Sequence, residues 1–292
     1  FKEESYMGND VFILSGIRTP IGTFGGSLAQ ISPTDLGTIV ASEAIKKANL
    51  SPKQIEHVAF GHVINTEPKD MYLSRVISIQ SNIPETTPAF NVNRLCGSGA
   101  QAIVSMFQTI MLGDADIVLA GGSENMSLSP FTMKKYRWGN KMGNVLIEDM
   151  MLGALNCPFG TGHMGVTAEN VAKKFNISRN EQDEFAFFSQ QKASLAIKNN
   201  YFQNQIVDVK IKRKKEINFF NNDEHVKETS LNNLSKLKPV FIKEGTVTAG
   251  NSSGINDGSA ALILSSEKKI QKNNLNPIAR IIGYAHSGVD PK

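Results

Sequence analysis

The sequence predicts an α/β fold, on three observations. Short apolar runs alternate with helical periods through about the first 120 residues. The nearly all-apolar stretch from Ala100 to Leu112 is opened by glycines directly after a strand-like run. After a long polar interval, a strand-like run returns at Ala260-Ala-Leu-Ile-Leu. Strands that alternate with helices in this way build a sheet covered by helices.

Taken in order, Val11-Phe-Ile-Leu is a continuous apolar run suited to a strand buried on both faces. Ser32-Pro-Thr-Asp opens a helix with a cap residue, a proline at the first helical position and an acid in the first turn. Leu36, Ile39, Val40, Ala44, Ile45 and Ala48 then recur at helical spacing and give that helix one apolar face. Val58-Ala-Phe-Gly predicts a strand, Leu73 to Gln80 a helix, Ala89 to Val92 a strand, and Asp116-Ile-Val-Leu-Ala another strand. The helix from Ala100 to Leu112 is apolar around most of its circumference, which predicts burial between layers. From Glu124 to about Gly245 the chain is more polar, with a capped helix from Ser178-Arg-Asn-Glu to about Asn199. An insertion between two strands of one sheet explains that order.

Composition narrows the functional classes. With 292 residues, 40% of them hydrophobic, the chain exceeds one average domain and has ample material for a core. No stretch approaches the roughly 18 apolar residues of a membrane span. The start, Phe1-Lys-Glu-Glu-Ser-Tyr-Met-Gly-Asn-Asp, lacks both the apolar segment of a signal peptide and the arginine bias of a transit peptide, so a cytoplasmic location is expected. A net charge of +4 does not point to nucleic acid. The basic run Lys210-Ile-Lys-Arg-Lys-Lys has no interleaved aromatic residues to stack on bases and reads as a strand edge blunted by lysines, or as an attraction for phosphate groups. Cys96 and Cys157 lie 61 positions apart without metal-ligand spacing, so neither a disulfide framework nor zinc is expected.

Cys96 is the candidate catalytic residue. It sits in Ala89-Phe-Asn-Val-Asn-Arg-Leu-Cys-Gly-Ser-Gly-Ala-Gln-Ala-Ile-Val, where a strand ends and a helix begins. A helix tip presents unpaired amides and the positive end of a dipole, both of which favour a thiolate. Gly97 and Gly99 are expected to supply the sharp turn and the close approach of a substrate.

Asn93-Arg-Leu-Cys-Gly-Ser-Gly-Ala-Gln-Ala-Ile, Gly121-Gly-Ser-Glu-Asn-Met-Ser, Gly162-His-Met-Gly-Val-Thr-Ala-Glu-Asn and Gly245-Thr-Val-Thr-Ala-Gly-Asn-Ser-Ser-Gly-Ile-Asn-Asp-Gly together resemble the thiolase family, in its bacterial β-ketothiolase branch. The resemblance runs from about Val11 to Lys292. It implies a layered α/β/α/β/α fold, here the N-terminal half plus a loop domain. The corresponding boundaries are 1–123 and 246–277 for the N-terminal domain, 124–245 for an inserted loop domain that covers coenzyme A, and 278–292 for the start of a C-terminal domain. It further implies acyl transfer between two acyl-CoA molecules through an acyl-Cys96 intermediate, with coenzyme A thioesters as substrates, no other cofactor, and a homo-oligomer, dimer or tetramer. Leu155, His163, Met164, Phe241, Ala249 and Ser253 match positions that line the pantetheine and acyl site. Lys227, in Asp223-Glu-His-Val-Lys, stands where a basic residue meets the nucleotide end. Core packing accounts equally well for Met164, Leu155 and Phe241, a structural histidine for His163, and a turn for Ser253.

The family's Gly-His-Pro base, second catalytic cysteine and Asn-Glu-Ala motifs do not occur in this sequence. His286 and Cys157 stand in different contexts and do not replace them. Two readings stay open here: part of a complete enzyme, or a short relative that binds acyl-CoA without turnover.

Overall fold

The computed structural model describes residues 10–213 and 216–292. The expectations placed on the first nine residues, and on Lys214 and Lys215 of the basic run, lie outside the described residues.

In chain order the elements are β1 (Val11–Arg18), β2 (Gly22–Thr23), α1 (Pro33–Lys47), β3 (His57–Gly61), α2 (Leu73–Gln80), β4 (Ala89–Val92), α3 (Ser98–Met111) and β5 (Ile117–Asn125). The middle of the chain holds β6 (Phe131–Thr132), β7 (Glu148–Asp149), α4 (Met150–Leu155), β8 (Asn156–Cys157), β9 (Gly162–His163), α5 (Met164–Lys174) and α6 (Arg179–Lys198). Then follow β10 (Val209–Arg213), β11 (Glu216–Phe220), α7 (Leu231–Ser235), β12 (Asn256–Ser266), α8 (Glu267–Asn273) and β13 (Ala279–Arg280).

Two compact units form. The first gathers the chain up to Leu128, Asn204–Asn222 and Asn256–Ala285; the second gathers Ser129–Gln203, Asp223–Ile255 and His286–Lys292. This partition differs from the 124–245 insertion at three places, the first being Glu124 to Leu128, which fall in the first unit. The hairpin β10-β11 joins the first unit because Val209 and Phe220 pack on Leu28 and Leu36, while 246–255 stays with the second.

The first unit is built on a seven-stranded sheet in the order β13-β1-β12-β5-β3-β4, with β2 beside β12. β3 is parallel to β4 and β5, as strand–helix–strand connections require. β12 returns antiparallel to β5 and β1, so the sheet is mixed. Side chains alternate between its faces. Val58, Phe60, Ile117, Leu119, Ala261 and Ile263 point into one core with Val40, Ala44, Ile45, Leu73 and Ile77 of α1 and α2. Ala59, Val118, Ala120 and Leu264 point the other way, against Ala102, Met106 and Ile110 of α3. That double burial is the reason these strands are continuously apolar.

Ser32 caps α1 by accepting the Asp35 N–H, with Pro33 at the first helical position, as the sequence predicts. Expected burial around most of α3 is not what the structure shows. Its buried residues are Ser98, Ala102, Met106 and Ile110, a single stripe at four-residue spacing, because within this unit only the sheet packs tightly against it. Ile103, Phe107 and Met111 are partly buried beside that stripe, with the Tyr284 ring edge-on to Phe107.

In the second unit, Ser178 and Glu181 form a reciprocal capping box at the start of α6. Asp183, one turn further, is buried and held by Arg179 and Asn251.

Candidate active site

Cys96 lies between the end of β4 and the start of α3, and it is exposed. β4 ends at Val92, whose carbonyl accepts the His62 N–H at 3.0 Å. The chain then turns through Asn93–Gly97. Asn93 Oδ1 accepts the Leu95 N–H at 3.0 Å, and the Arg94 and Leu95 carbonyls accept the amides of Gly97 and Ser98 at 3.1 and 2.9 Å. The Ser98 hydroxyl closes the turn from inside, accepting the Arg94 N–H at 2.8 Å and donating to the Leu95 carbonyl at 2.6 Å.

The sharp turn expected of Gly97 and Gly99 is made one position before the cysteine, at Leu95. Gly97 has φ −86° and ψ 2°, open to any residue, whereas Leu95 has φ +46°, the left-handed region that side chains with a Cβ avoid. Steric necessity falls on Gly61, at the end of β3. A Cβ there would meet Ser98 C, Gly99 N and Ser98 O at 2.4, 2.5 and 2.6 Å. At Gly122, in β5, a Cβ would come within 3.3 Å of Gly99 Cα. Two adjacent parallel strands are thus bare where the tip of α3 rests on them. No side chain caps α3 at Gly97.

An ionisable cluster of half-buried Glu124 with buried His62 and Asp70 stands beside this junction at the carboxyl ends of β3 and β5. Glu124 accepts the Val63 and Ile64 N–H groups at 2.9 and 3.0 Å. Burial pushes its carboxyl above the ordinary range, against the pull of His62 and those two amides. His62, itself buried, places Nδ1 at 2.8 Å from the Ser123 carbonyl and 3.3 Å from Glu124, with Nε2 at 4.0 Å from Asp70. Asp70 gathers the Thr66 N–H, the Thr66 hydroxyl and the Glu67 N–H. Asn91 of β4 then fastens the end of the same loop, donating to the carbonyls of Asp70 and Met71 and accepting the Ser74 N–H. The one hint in the sequence is a histidine directly after a strand-ending glycine.

In the second unit, His163 caps α5. Its Nδ1 accepts the Gly165 N–H at 3.0 Å, which leaves any neutral-ring proton on Nε2, and its ring stacks on Phe241 at 4.8 Å and 20°. The Phe241 ring covers Gly165, where a Cβ would come within 2.3 Å of it. His163, Met164 (the first residue of α5) and Phe241 are therefore brought together. Leu155 ends α4, just before the short ladder in which Asn156 pairs with His163.

Ala249 and Ser253 share an exposed loop whose base is anchored by buried Glu169, which accepts the Thr246 and Val247 amides and the Thr246 hydroxyl. Asn251 braces the same loop, accepting the Thr248 N–H and donating to Asp183 and the Thr246 carbonyl. Gly254 lies against the His225 ring, 2.0 Å from where a Cβ would stand. Lys227 sits on a separate segment, its backbone N–H donated to Gln190 of α6. Nothing local in the sequence marks Glu169, Asn251 or His225, whose contacts with Thr246 and Val247, Asp183 and Gly254 respectively span tens of residues.

Cys157 is partly exposed and has hydrogen-bond donors at its sulfur. The Phe159 N–H and the Thr161 hydroxyl, bonding to its sulfur, hold it below the ordinary thiol value. Among the described residues, no group of three His, Cys, Asp or Glu side chains is set to hold a metal ion, and no helix is long and apolar enough to cross a membrane.

Residues 11–268 match the family described as the thiolase N-terminal domain. The chain belongs to the thiolase family. It is 51% identical over 288 residues to the beta-ketothiolase BktB of Cupriavidus necator, an alignment covering 98% of this chain and 73% of that protein. The crystal structure of human mitochondrial 3-ketoacyl-CoA thiolase superposes with a TM-score of 0.94 at 40% identity, covering 97% of this chain and 72% of the human one. The human enzyme in complex with CoA gives 0.93, also at 40% identity, over 97% and 71%. The mixed α/β sheet and its helices are therefore a thiolase fold.

Proposed function

We propose that Cys96 is the acyl carrier in this thiolase and that its substrates are coenzyme A thioesters. The chain is an acyl-CoA acyltransferase of the acetyl-CoA C-acetyltransferase type, catalysing a reversible Claisen condensation of two acyl-CoA molecules. The observation that carries the assignment of Cys96 is its place: an exposed thiol on a tightly bonded turn, at the uncapped tip of a helix seated on Gly61 at the end of β3 and Gly122 within β5.

In the first half-reaction the Cys96 sulfur attacks the thioester carbonyl and the carbon–sulfur bond to coenzyme A breaks. Coenzyme A leaves as the thiol, taking the proton that Cys96 gave up, and the acyl group remains as a thioester on Cys96. Charge gathers on the carbonyl oxygen in between, and it is lowered in energy by hydrogen-bond donors positioned to meet it. In the condensing direction, acetyl-CoA loses an α-proton and its carbon attacks the acyl-Cys96 carbonyl. The new carbon–carbon bond forms as the carbon–sulfur bond to Cys96 breaks, and the α-proton ends on the released Cys96 sulfur, restoring the thiol. In the reverse direction coenzyme A takes the acyl group.

Leu155, His163, Met164, Phe241, Ala249 and Ser253 are assigned to the pantetheine and acyl portion and Lys227 to the nucleotide portion. The His163–Phe241 stack supports this reading for two of them. A cytoplasmic homo-oligomer with no nucleic-acid partner completes the proposal. Incubation with isotope-labelled acetyl-CoA, followed by peptide mass spectrometry, is expected to place one acetyl group on the Cys96 peptide and none on that of Cys157. Cys96→Ala abolishes labelling and Cys157→Ala leaves it. Label on Cys157 alone, or on neither, overturns the assignment.

A further inference from the structure

The left-handed conformation of Leu95 calls for a cause. Glycine enters that region for want of a Cβ, and Asn or Asp enters it by bonding locally; leucine has neither means. Leu95 is 54% exposed, so core packing does not hold it there. What remains is hydrogen bonding to its two peptide groups. Its N–H is taken by Asn93 Oδ1, and its carbonyl receives both the amide and the hydroxyl of Ser98. The same hydroxyl accepts the Arg94 N–H, so one oxygen spans the residue before Leu95 and Leu95 itself. Ser98 is only 5% exposed and its backbone lies against Gly61 of β3 with no room for a Cβ between them. The buried Ser98 hydroxyl thus ties the exposed turn to the helix tip whose backbone rests on β3. The residue after Leu95 is Cys96.

We infer that Ser98 is the positioning residue of the Cys96 thiol, acting by holding Leu95 in the left-handed conformation. The inference deepens the proposed function and rests on Cys96 as acyl carrier. Strain next to a reacting group persists only where the surroundings over-determine it, and a displacement of about 1 Å at such a group costs on the order of a hundredfold in rate. Ser98→Ala keeps the backbone amide and removes the hydroxyl, leaving the Arg94 N–H without its acceptor. Ser98→Thr keeps the hydroxyl. Leu95→Asn substitutes a residue that takes the left-handed region readily.

The test is the rate of Cys96 acetylation by acetyl-CoA at several concentrations, in the full chain, with thermal unfolding followed in parallel. Ser98→Ala is expected to lower the saturating rate about 10- to 100-fold with the half-saturating concentration changed by less than about twofold. Ser98→Thr restores most of the rate, and Leu95→Asn recovers part of it in the Ser98→Ala background. A merely structural role would lower the unfolding temperature without rescue by Leu95→Asn. A saturating rate in Ser98→Ala within about twofold of wild type, or no recovery in the double variant, overturns the inference. If the unsubstituted chain is not acetylated at all, the proposed function fails instead. The positioning role is then decided by iodoacetamide alkylation of Cys96 in the same variants, with Cys157 as the site that should not change: a fall confined to Cys96 sustains it, and equal rates overturn it.

Discussion

The α-carbon of Gly61 faces the backbone of Gly99 so closely that a Cβ at Gly61 would stand 2.5 Å from the Gly99 amide nitrogen. That contact is backbone against backbone, so no flexible side chain can move aside. Gly61→Ala must therefore lift the first turn of α3 off β3. Overpacking of this kind costs about 1–3 kcal/mol. The variant is expected to unfold at lower temperature and to acetylate Cys96 more slowly, because the helix tip and the cysteine turn move together. Gly97→Ala is the matched comparison: φ there is ordinary and the nearest atom to an added Cβ is 3.4 Å away, so it should fold as the unsubstituted chain does. Equal stability of Gly61→Ala and Gly97→Ala in urea titrations would remove the explanation.

Glu124 makes stability depend on pH with a definite sign. Burial raises its carboxyl above the ordinary 4.5, so the folded chain holds that proton more tightly than the unfolded chain does. The resulting stabilisation is fully present below the unfolded value and is lost as pH rises through the folded one. Glu124→Gln removes the titration. Measured by urea midpoint at successive pH values upward from about 4.5, the unsubstituted chain is expected to lose stability relative to Glu124→Gln. A gain over that interval would mean that the Val63 and Ile64 amides and His62 outweigh burial.

Local signals carried much of this architecture. Ser32-Pro33 marked the start of α1, and α2 and β4 occupy the very spans their periods predict, because caps and short apolar runs act within a few residues. The strand-to-helix junction around Cys96 was legible for the same reason. What holds that junction was not. The Glu124 bonds to Val63 and Ile64 and the Gly61–Gly99 contact join residues far apart in the chain, and nothing in a single sequence pairs them. The sequence places the sharp turn at Gly97 and Gly99 because glycine has the widest backbone freedom. Side-chain bonds from Asn93 and Ser98 override that preference at Leu95. The basic run reads in the sequence as a strand edge blunted by lysines, and Lys210 and Lys212 are exposed on β10. Membership of the hairpin β10-β11 in the first unit depends on where Val209 and Phe220 dock, on Leu28 and Leu36, which alternation alone does not specify.

Cys157 should compete with Cys96 for simple alkylating agents and not for acetyl-CoA. The Phe159 amide and the Thr161 hydroxyl stabilise its thiolate, and iodoacetamide reads thiolate content and access without needing a substrate pocket. Thr161→Val removes one of those bonds at nearly constant volume, which raises the thiol and slows its alkylation several-fold near neutral pH. The Cys96 peptide serves as the internal reference in the same digest and should not change. An unaltered Cys157 rate in Thr161→Val would show that the threonine hydroxyl contributes nothing to its reactivity.

Glu169 offers a separate handle on the loop assigned to the acyl-CoA side. Its carboxylate accepts the Thr246 N–H at 2.9 Å and the Val247 N–H at 2.8 Å, and Gly245 passes so close that a Cβ would stand 2.1 Å from Oε1. A buried amide left without an acceptor costs about 1–3 kcal/mol, and Glu169→Ala strands two of them. A loss of at least about 2 kcal/mol in chemical unfolding is expected, with Glu169→Gln in between because one carbonyl oxygen survives. Ala249 and Ser253 lie only a few residues beyond this anchor, so coenzyme A affinity, read by titration calorimetry on the folded variant, should weaken as well. Since Cys96 has no part in that anchor, its iodoacetamide rate should stay level in Glu169→Gln. A fall in that rate together with the affinity would point to general loosening instead of a loop that serves the ligand.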